Sequence, residues 1–594
     1  MTARHRLLAA SFDAIAAGHA DPAGLSVLRD GQLSKHLLML RMIADEVEEK
    51  PGRQVARPAA ASTVAASLEL LTEAHRHDPA AATGVLAYPY VGAWLVQCAR
   101  ELRRPQGRPP LAHLAEIAAA AAIRTGLEFD LDVWPTDGTV SLPSIGLCRP
   151  RTDISPLPIR RNANRTTVGE VDLPADPSLD RASWYGLQRL ADPTAIPIHV
   201  ALDDLDPYRA PPAMHATGRL PRSHCTGWRA RFAATWRLLC HDHDRWAAQL
   251  AELLVALTPL VEQVPGHGMS ATARQSFGAV ALTYPVEPLG FAAVLCHELQ
   301  HAKLNALLDL VELCEPTDER LYYAPWRLEP RPLAALLHGT YAFLGVADFW
   351  QRRSIVDNDT RAWHEFARAQ VQVQQALKIL QAAAGLTTAG RRFVSGMTTW
   401  ADGLLAGQLP ERQRRYAELA SDDHHITWRI SNLRPDPAAV QTVVDAWRAG
   451  RPAPVLPDPL LAPQPQQSVQ SGRARLLATV AADRSAQDLV TDAPSAQPAP
   501  EHDGDVHDGD VHLAEGRYDL AAAGYRRALS NDTASVAAWT GLSLARQRVA
   551  DTAEATIWRT QPELIRALYW TLATQSGDPP SPEELARWLA AAAE

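Results

Sequence analysis

Residues 291–314, FAAVLCHELQHAKLNALLDLVELC, carry apolar side chains spread too evenly around a helical turn to lie on a surface. Ala292, Ala293, Leu295, Leu299, Ala302, Leu304, Ala306 and Leu307 cover nearly the whole circumference, so the stretch reads as a helix enclosed by other elements. The fold has to be built around it. His297, Glu298 and His301 are carried into the interior with it. Residues four apart on a helix lie one above the other, so His297 and His301 can present two nitrogens to one metal ion, the HExxH geometry. Glu298 is turned about 100° from His297 and is expected to act beside the ion, as a catalytic or orienting carboxylate, rather than as a ligand. The competing reading is a pair of hydrogen-bonded core histidines, which would bury three polar groups without the partner that a metal supplies.

The rest of the chain narrows the class. Its 594 residues argue for more than one domain. No run of about 18 apolar residues occurs, and the opening MTARHRLLAASFDAIAAG reads as an amphipathic helix without a cleavage pattern, so a cytoplasmic location is expected. Cys98, Cys148, Cys225, Cys240, Cys296 and Cys314 show no CxxC spacing. They are expected to be reduced thiols, neither a disulfide framework nor a thiolate zinc site. A net charge of −9 without a basic block excludes nucleic acid and anionic membrane as expected partners.

Periodicity divides the chain into five regions. Residues 1–125 read as helical, with Ser34 and Lys35 on a solvated face, and 126–227 as a strand-rich insert. Residues 228–450 read as the helical core that holds the HExxH site, with one helix over 228–262, a strand over 277–284, and further helices at 331–350, 360–384 and 386–420. Prolines mark 451–510 as a linker, Pro-rich and then acidic, and 511–594 reads as a helical module whose 512–547 segment has the pattern of one tetratricopeptide-like helix pair. The expected fold class is α+β, mostly α-helical. A strand leading into a metal-binding helix is the arrangement of zincin-type folds, in which an edge strand beside the metal can pair with an extended peptide. A peptide is therefore the first substrate to consider.

The third metal ligand is the open question. A metzincin continuation needs Gly and His where this chain has Leu304 and Leu307, which excludes that class. Glu312 lies too far along the helix, and Glu315 and Glu319 fall in a Pro-containing loop. The better candidate is His338, in the apolar helix RPLAALLHGTYAFLGVADFW that begins at Pro332; a core histidine beside Gly339 is the alternative. The loop 322–332, YYAPWRLEPRP, reads as stiff, and its Arg327 and Arg331 are placed to bind a carboxylate by a bidentate fork, unless either is spent on a structural salt bridge. Other clusters carry less. Asp203-Asp204-Asp206 reads as a turn after a strand, and Pro265-Gly266-His267-Gly268 as a helix stop. Cys240 to Asp244 are consecutive and cannot converge on one ion. Ser421 to His425 read as a surface helix start, and the near-repeat at 502–511 as solvated linker.

The combination SATARQSFGAVALTYPVEPLGFAAVLCHELQHAKLNALLDL and APWRLEPRPLAALLHGTYAF resembles the HExxH-motif proteins of actinobacterial gene clusters that modify ribosomally synthesised peptides (RiPPs). LSKHLLMLR resembles them too, so the likeness spans most of residues 1–440. That family is one of 2-oxoglutarate-dependent peptide β-hydroxylases. The resemblance implies iron(II), 2-oxoglutarate and dioxygen, a precursor peptide as substrate, and neighbouring peptide-modifying enzymes as partners in natural product biosynthesis. In those terms His297, His301 and His338 would hold iron, and Arg327 or Arg331 the distal carboxylate of 2-oxoglutarate. The residues also fit a zinc hydrolase with Glu298 as general base, or a non-catalytic peptide-binding relative.

Overall fold

The computed structural model describes residues 5–49, 59–152, 155–163, 165–194, 196–264, 268–405, 409–462, 472–481, 504–577 and 579–592. The chain is α+β and mostly helical, with several small sheets. It divides into two compact units, Met1–Glu312 and Leu313–Glu594. The division falls inside the expected 228–450 core, a few residues after the HExxH helix.

In the first unit, helices Pro22–Glu49, Ala59–His77, Pro79–Leu86, Pro89–Arg103 and His113–Thr125 occupy most of the expected helical region. The last of these is Ala-rich and buried over most of its length, and Gly126 closes it in the left-handed conformation at φ 79°. The strand-rich insert follows as expected. Phe129–Val133, Leu157–Asn162, Arg165–Val168 and Val171–Asp172 form one antiparallel sheet, and Val140–Leu142, Gly146–Cys148 and Trp184–Gly186 another.

A third sheet positions the HExxH helix. Its strands run in the order Ser270–Ala271, Ala279–Leu282, Ala256–Pro259, Ile198–Leu202, Gln188–Asp192. Ala256–Pro259 is parallel to both its neighbours, while the two outer strands run antiparallel. ALTP and AVAL are buried at every position, as parallel strands covered on both faces are. The single helix expected over 228–262 is corrected here. Helix Arg222–Asp242 breaks at His243, Asp244–Leu253 follows, and 256–259 is a strand. A short apolar run does not by itself distinguish helix from strand; pairing on both sides decides it. The two helices form the long crossover that parallel strands need. Asp203 does make the expected turn, its Oδ1 accepting from the amides of Leu205 and Asp206.

The HExxH helix spans Pro288–Leu307, with Pro288 in its first turn. It packs against Arg222–Asp242, Pro22–Glu49, Asp244–Leu253 and the edge strand Ser270–Ala271. Two polar residues toward its C-terminal end find partners in that packing. Lys303, fully buried, donates to Gly18 O at 3.2 Å and Gln249 Oε1 at 2.7 Å. Asp309, just past the helix end, accepts from Gln32, Lys35 and Arg274, so Lys35 is engaged in an ion pair rather than solvated.

In the second unit, the expected stiff loop is a β-hairpin, Leu321–Ala324 with Arg327–Pro332. It leads into helix Leu333–Asp357, which packs on Thr360–Ala382. Among the described residues, 333–357 is the one helix long and apolar enough to cross a membrane, and most of it is buried, as in the core helix of a soluble fold. Thr388–Leu405 and Glu411–Asn432 follow. Ser421 to His425 therefore lie in mid-helix, not at a surface helix start, and Ser421 and Asp423 are buried. The cause is long-range: Tyr416, Leu419, Ile426 and Ile430 of this helix share one core with residues from Leu476 to Ala590.

Residues 463–471 and 482–503 of the expected linker, and Pro265, Gly266 and His267 of the expected helix stop, lie outside the described residues. Between the two linker segments, helix Gly472–Ala481 carries the buried Arg473. Arg473 pairs with Asp423 and with Asp510 at 2.7 Å, and donates to Ala537 O at 2.8 Å. Asp510 sits in helix Gly504–Ala514, so the second half of the near-repeat is structured. Helices Tyr518–Asn531, Val536–Val549, Thr552–Thr560, Pro562–Ser576 and Pro582–Ala590 complete the unit. Tyr525 lies against Gly509 and Gly541, where an added Cβ would come within 2.7 and 2.3 Å of its ring.

Candidate metal centre

The single turn between His297 and His301 brings their Nε2 atoms to 3.2 Å, with the rings 4.7 Å apart and nearly perpendicular. Two imidazole nitrogens bound to one ion at about 2.0–2.1 Å stand roughly 2.8–3.4 Å apart, from cis octahedral to tetrahedral geometry. The pair is therefore at chelating separation. Burial lowers both pKa values, that of His297 to about 3, and the two rings repel each other's protons. His301 is lowered by burial too, partly offset by the nearby charge of Glu298. Both side chains are neutral at physiological pH, the form that binds a metal.

Glu298 is buried, and Ser270 Oγ on the edge strand donates to its Oε1 at 2.7 Å. Thr272 Oγ1 donates to the Glu298 backbone carbonyl at 3.3 Å. Oε2 is buried with no hydrogen-bond partner, as are both ends of the Gln300 amide. On the helix, Glu298 and Gln300 flank the imidazole pair from opposite sides. Leaving a buried polar atom unpaired costs about 1–3 kcal/mol, so these atoms fit a place that receives a polar guest. The donor set fits a divalent ion: two neutral imidazoles at the right separation beside an ionisable, half-satisfied carboxylate. Among the described residues, no group of three or more His, Cys, Asp or Glu side chains forms a metal-binding cluster.

The remaining candidates belong to the second unit. His338 lies on helix Leu333–Asp357, half-buried. The next residue, Gly339, is where the hairpin seats: a Cβ there would fall 2.2 Å from the Trp326 ring, which also stacks on Phe343 at 4.8 Å. That contact brings Arg327, next to Trp326, to the part of the helix that carries His338. Arg327 is exposed and Arg331 half-buried, on alternate positions of one strand. Their backbones pair in the hairpin, but neither guanidinium makes a hydrogen bond or an ion pair among the described residues, so the structural salt bridge that sequence left open is absent there. Between them Glu329 has a buried, unpartnered Oε2. Glu312, Glu315 and Glu319 are exposed.

Sequence reasoning missed two features. Ser270 and Thr272 fall in SATARQS, whose small polar residues gave no sign of a shared partner in Glu298, 28 and 26 positions away. Tyr323 and His424 were read separately, yet the Tyr323 hydroxyl and His424 Nδ1 are 2.9 Å apart, and His425 packs on the same ring. Burial lowers the pKa of both histidines to about 4. Compared with known proteins, the chain matches no family model and no curated protein.

Proposed function

We propose that the chain is an iron(II)- and 2-oxoglutarate-dependent oxygenase that hydroxylates the β-carbon of a residue in a ribosomally synthesised precursor peptide, in the cytoplasm. The observation that carries this reading is the neutral His297–His301 pair at 3.2 Å. The sequence resemblance described above directs it to iron and 2-oxoglutarate. The reading requires His338 as third ligand and Arg327 or Arg331 as the anchor for the distal carboxylate of 2-oxoglutarate. Two arginines without a carboxylate partner suit that role, because a guanidinium fork binds a carboxylate bidentately.

When bound, iron(II) with 2-oxoglutarate and dioxygen supplies the oxidising chemistry. The chain supplies binding and orientation. His297 and His301, kept neutral by burial, offer lone pairs from one helix face. The strand Ser270–Ala271 is a sheet edge, paired on one side with Ala279–Leu282. Its other side can take an extended peptide through main-chain hydrogen bonds. The C-terminal helices are a second place for the precursor peptide or a partner enzyme to dock.

A second reading, zinc-dependent hydrolysis, is favoured by one observation: Glu298, whose charge acts on His301, has a buried Oε2 without a partner, as a general base beside a metal would. One experiment separates the two. Iron(II) is added anaerobically, then 2-oxoglutarate, and the weak visible charge-transfer band of the chelate is followed. A band that disappears in His297→Ala, His301→Ala and His338→Ala and weakens in an arginine variant supports the oxygenase. Tight zinc binding with no response to 2-oxoglutarate rejects it in favour of the hydrolase.

A further inference from the structure

Ser270 lies on the edge strand and Glu298 on the HExxH helix, 28 residues apart, and a single 2.7 Å hydrogen bond joins them. A glutamate side chain has three rotatable bonds, and the helix backbone alone does not decide where its two oxygens point. The Ser270 hydroxyl fixes one of them. Thr272, two residues along, holds the carbonyl of the same residue at 3.3 Å, so strand and helix are tied at this residue twice. A purely structural tie would be expected to satisfy both carboxylate oxygens. Instead Oε2 is left buried and without a partner, on a residue that the helical turn sets about 60° around the axis from His301.

We propose that Ser270 is a positioning residue for the metal centre: by holding Oε1 it orients Glu298 so that Oε2 faces an exchangeable position beside His297 and His301, where its charge bears on the bound ligand and it accepts a hydrogen bond from a ligand that carries a proton. The inference rests on the metal reading given above, but holds for iron or zinc alike. It also gives the edge strand a second task. The element available to pair with a peptide is the one that sets the carboxylate, so displacement of the strand is felt at the metal position.

The test uses the full chain loaded anaerobically with iron(II) and exposed to nitric oxide, which occupies an exchangeable position. Electron paramagnetic resonance reads the iron–nitrosyl spectrum, and metal analysis reads iron content. Ser270→Ala is expected to retain iron as the wild type does, yet to shift the nitrosyl spectrum in the same direction as Glu298→Gln. Ser270→Thr, which restores a hydroxyl, returns the wild-type spectrum. Thr272→Val, which removes only the bond to the backbone carbonyl, leaves it unchanged. A Ser270→Ala spectrum identical to wild type while Glu298→Gln is shifted overturns the positioning role. So does a Thr272→Val shift as large as that of Ser270→Ala, which would mean general loosening of the strand. Spectra unmoved by Glu298→Gln show that Oε2 does not reach the position. Failure of the wild-type chain to bind iron or zinc rejects the metal reading itself and the proposal with it.

Discussion

His297 and His301 are half-buried and face each other, with unpartnered polar atoms of Glu298 and Gln300 on either side. Replacing either with alanine removes half of the chelating pair, and iron affinity should fall by more than the ~10–100-fold that loss of an outer-shell partner costs. Metal analysis after dialysis checks this, with circular dichroism expected to be unchanged. Arg327→Ala or Arg331→Ala should retain iron but weaken 2-oxoglutarate. Loss of a hydrogen bond to a charged group costs roughly 1.5–3 kcal/mol, so the dissociation constant should rise about 10- to 150-fold for the arginine that holds the carboxylate, and little for the other. The histidine pair was legible in the sequence because a helix fixes the geometry of residues four apart. The serine that holds Glu298 was not, because its contact depends on which strand ends at the sheet edge.

Elements show the same division between local and long-range information. The HExxH helix and the strand before it follow from periodicity and turn residues, though the helix spans Pro288–Leu307 and not 291–314 as its apolar pattern suggested. Ala256–Pro259 does not: its apolar run suits a helix equally well, and only two parallel neighbours make it a strand. The seam between the 321–332 hairpin and helix Glu411–Asn432 likewise depends on contacts that sequence does not display. There His424 and His425 have folded pKa values lowered to about 4 by burial, against about 6.5 when unfolded. Groups shifted this way bind protons more readily in the unfolded state, so the seam is at full strength above about pH 6.5 and weakens as pH falls toward 4. Hydrogen exchange of the hairpin amides between pH 7.5 and 5 should show the loss, and His424→Gln with His425→Gln should flatten the dependence. A single methyl tests how the hairpin sits. Gly339→Ala drives a Cβ into the Trp326 ring and should destabilise by about 1–3 kcal/mol, weakening 2-oxoglutarate through Arg327 without touching a ligand.

For the whole molecule, the division at Glu312 and Leu313 separates the proposed ligands, with His297 and His301 before it and His338 after it. Two compact units with their own cores should unfold in two transitions by calorimetry when metal is absent. Adding iron(II) should raise the transition of the unit that carries His297 and His301, and a chelator should lower it again. The C-terminal helices read from sequence as a separable module after a long linker, because prolines and polar residues dominate 451–510. Burial of Arg473 against Asp423 and Asp510 was not visible there, since an ion pair between distant segments leaves no periodic trace. Arg473→Ala would strand two buried carboxylates and should cost about 3–5 kcal/mol, read as loss of the second transition's midpoint. The shared core beginning at Tyr416 also bears on how such a chain can be recombined. A cut after residue 450 would strip the C-terminal helices of the apolar wall they are folded on, so an exchange between related chains that keeps them intact has to carry helix Glu411–Asn432 along as part of the inherited piece.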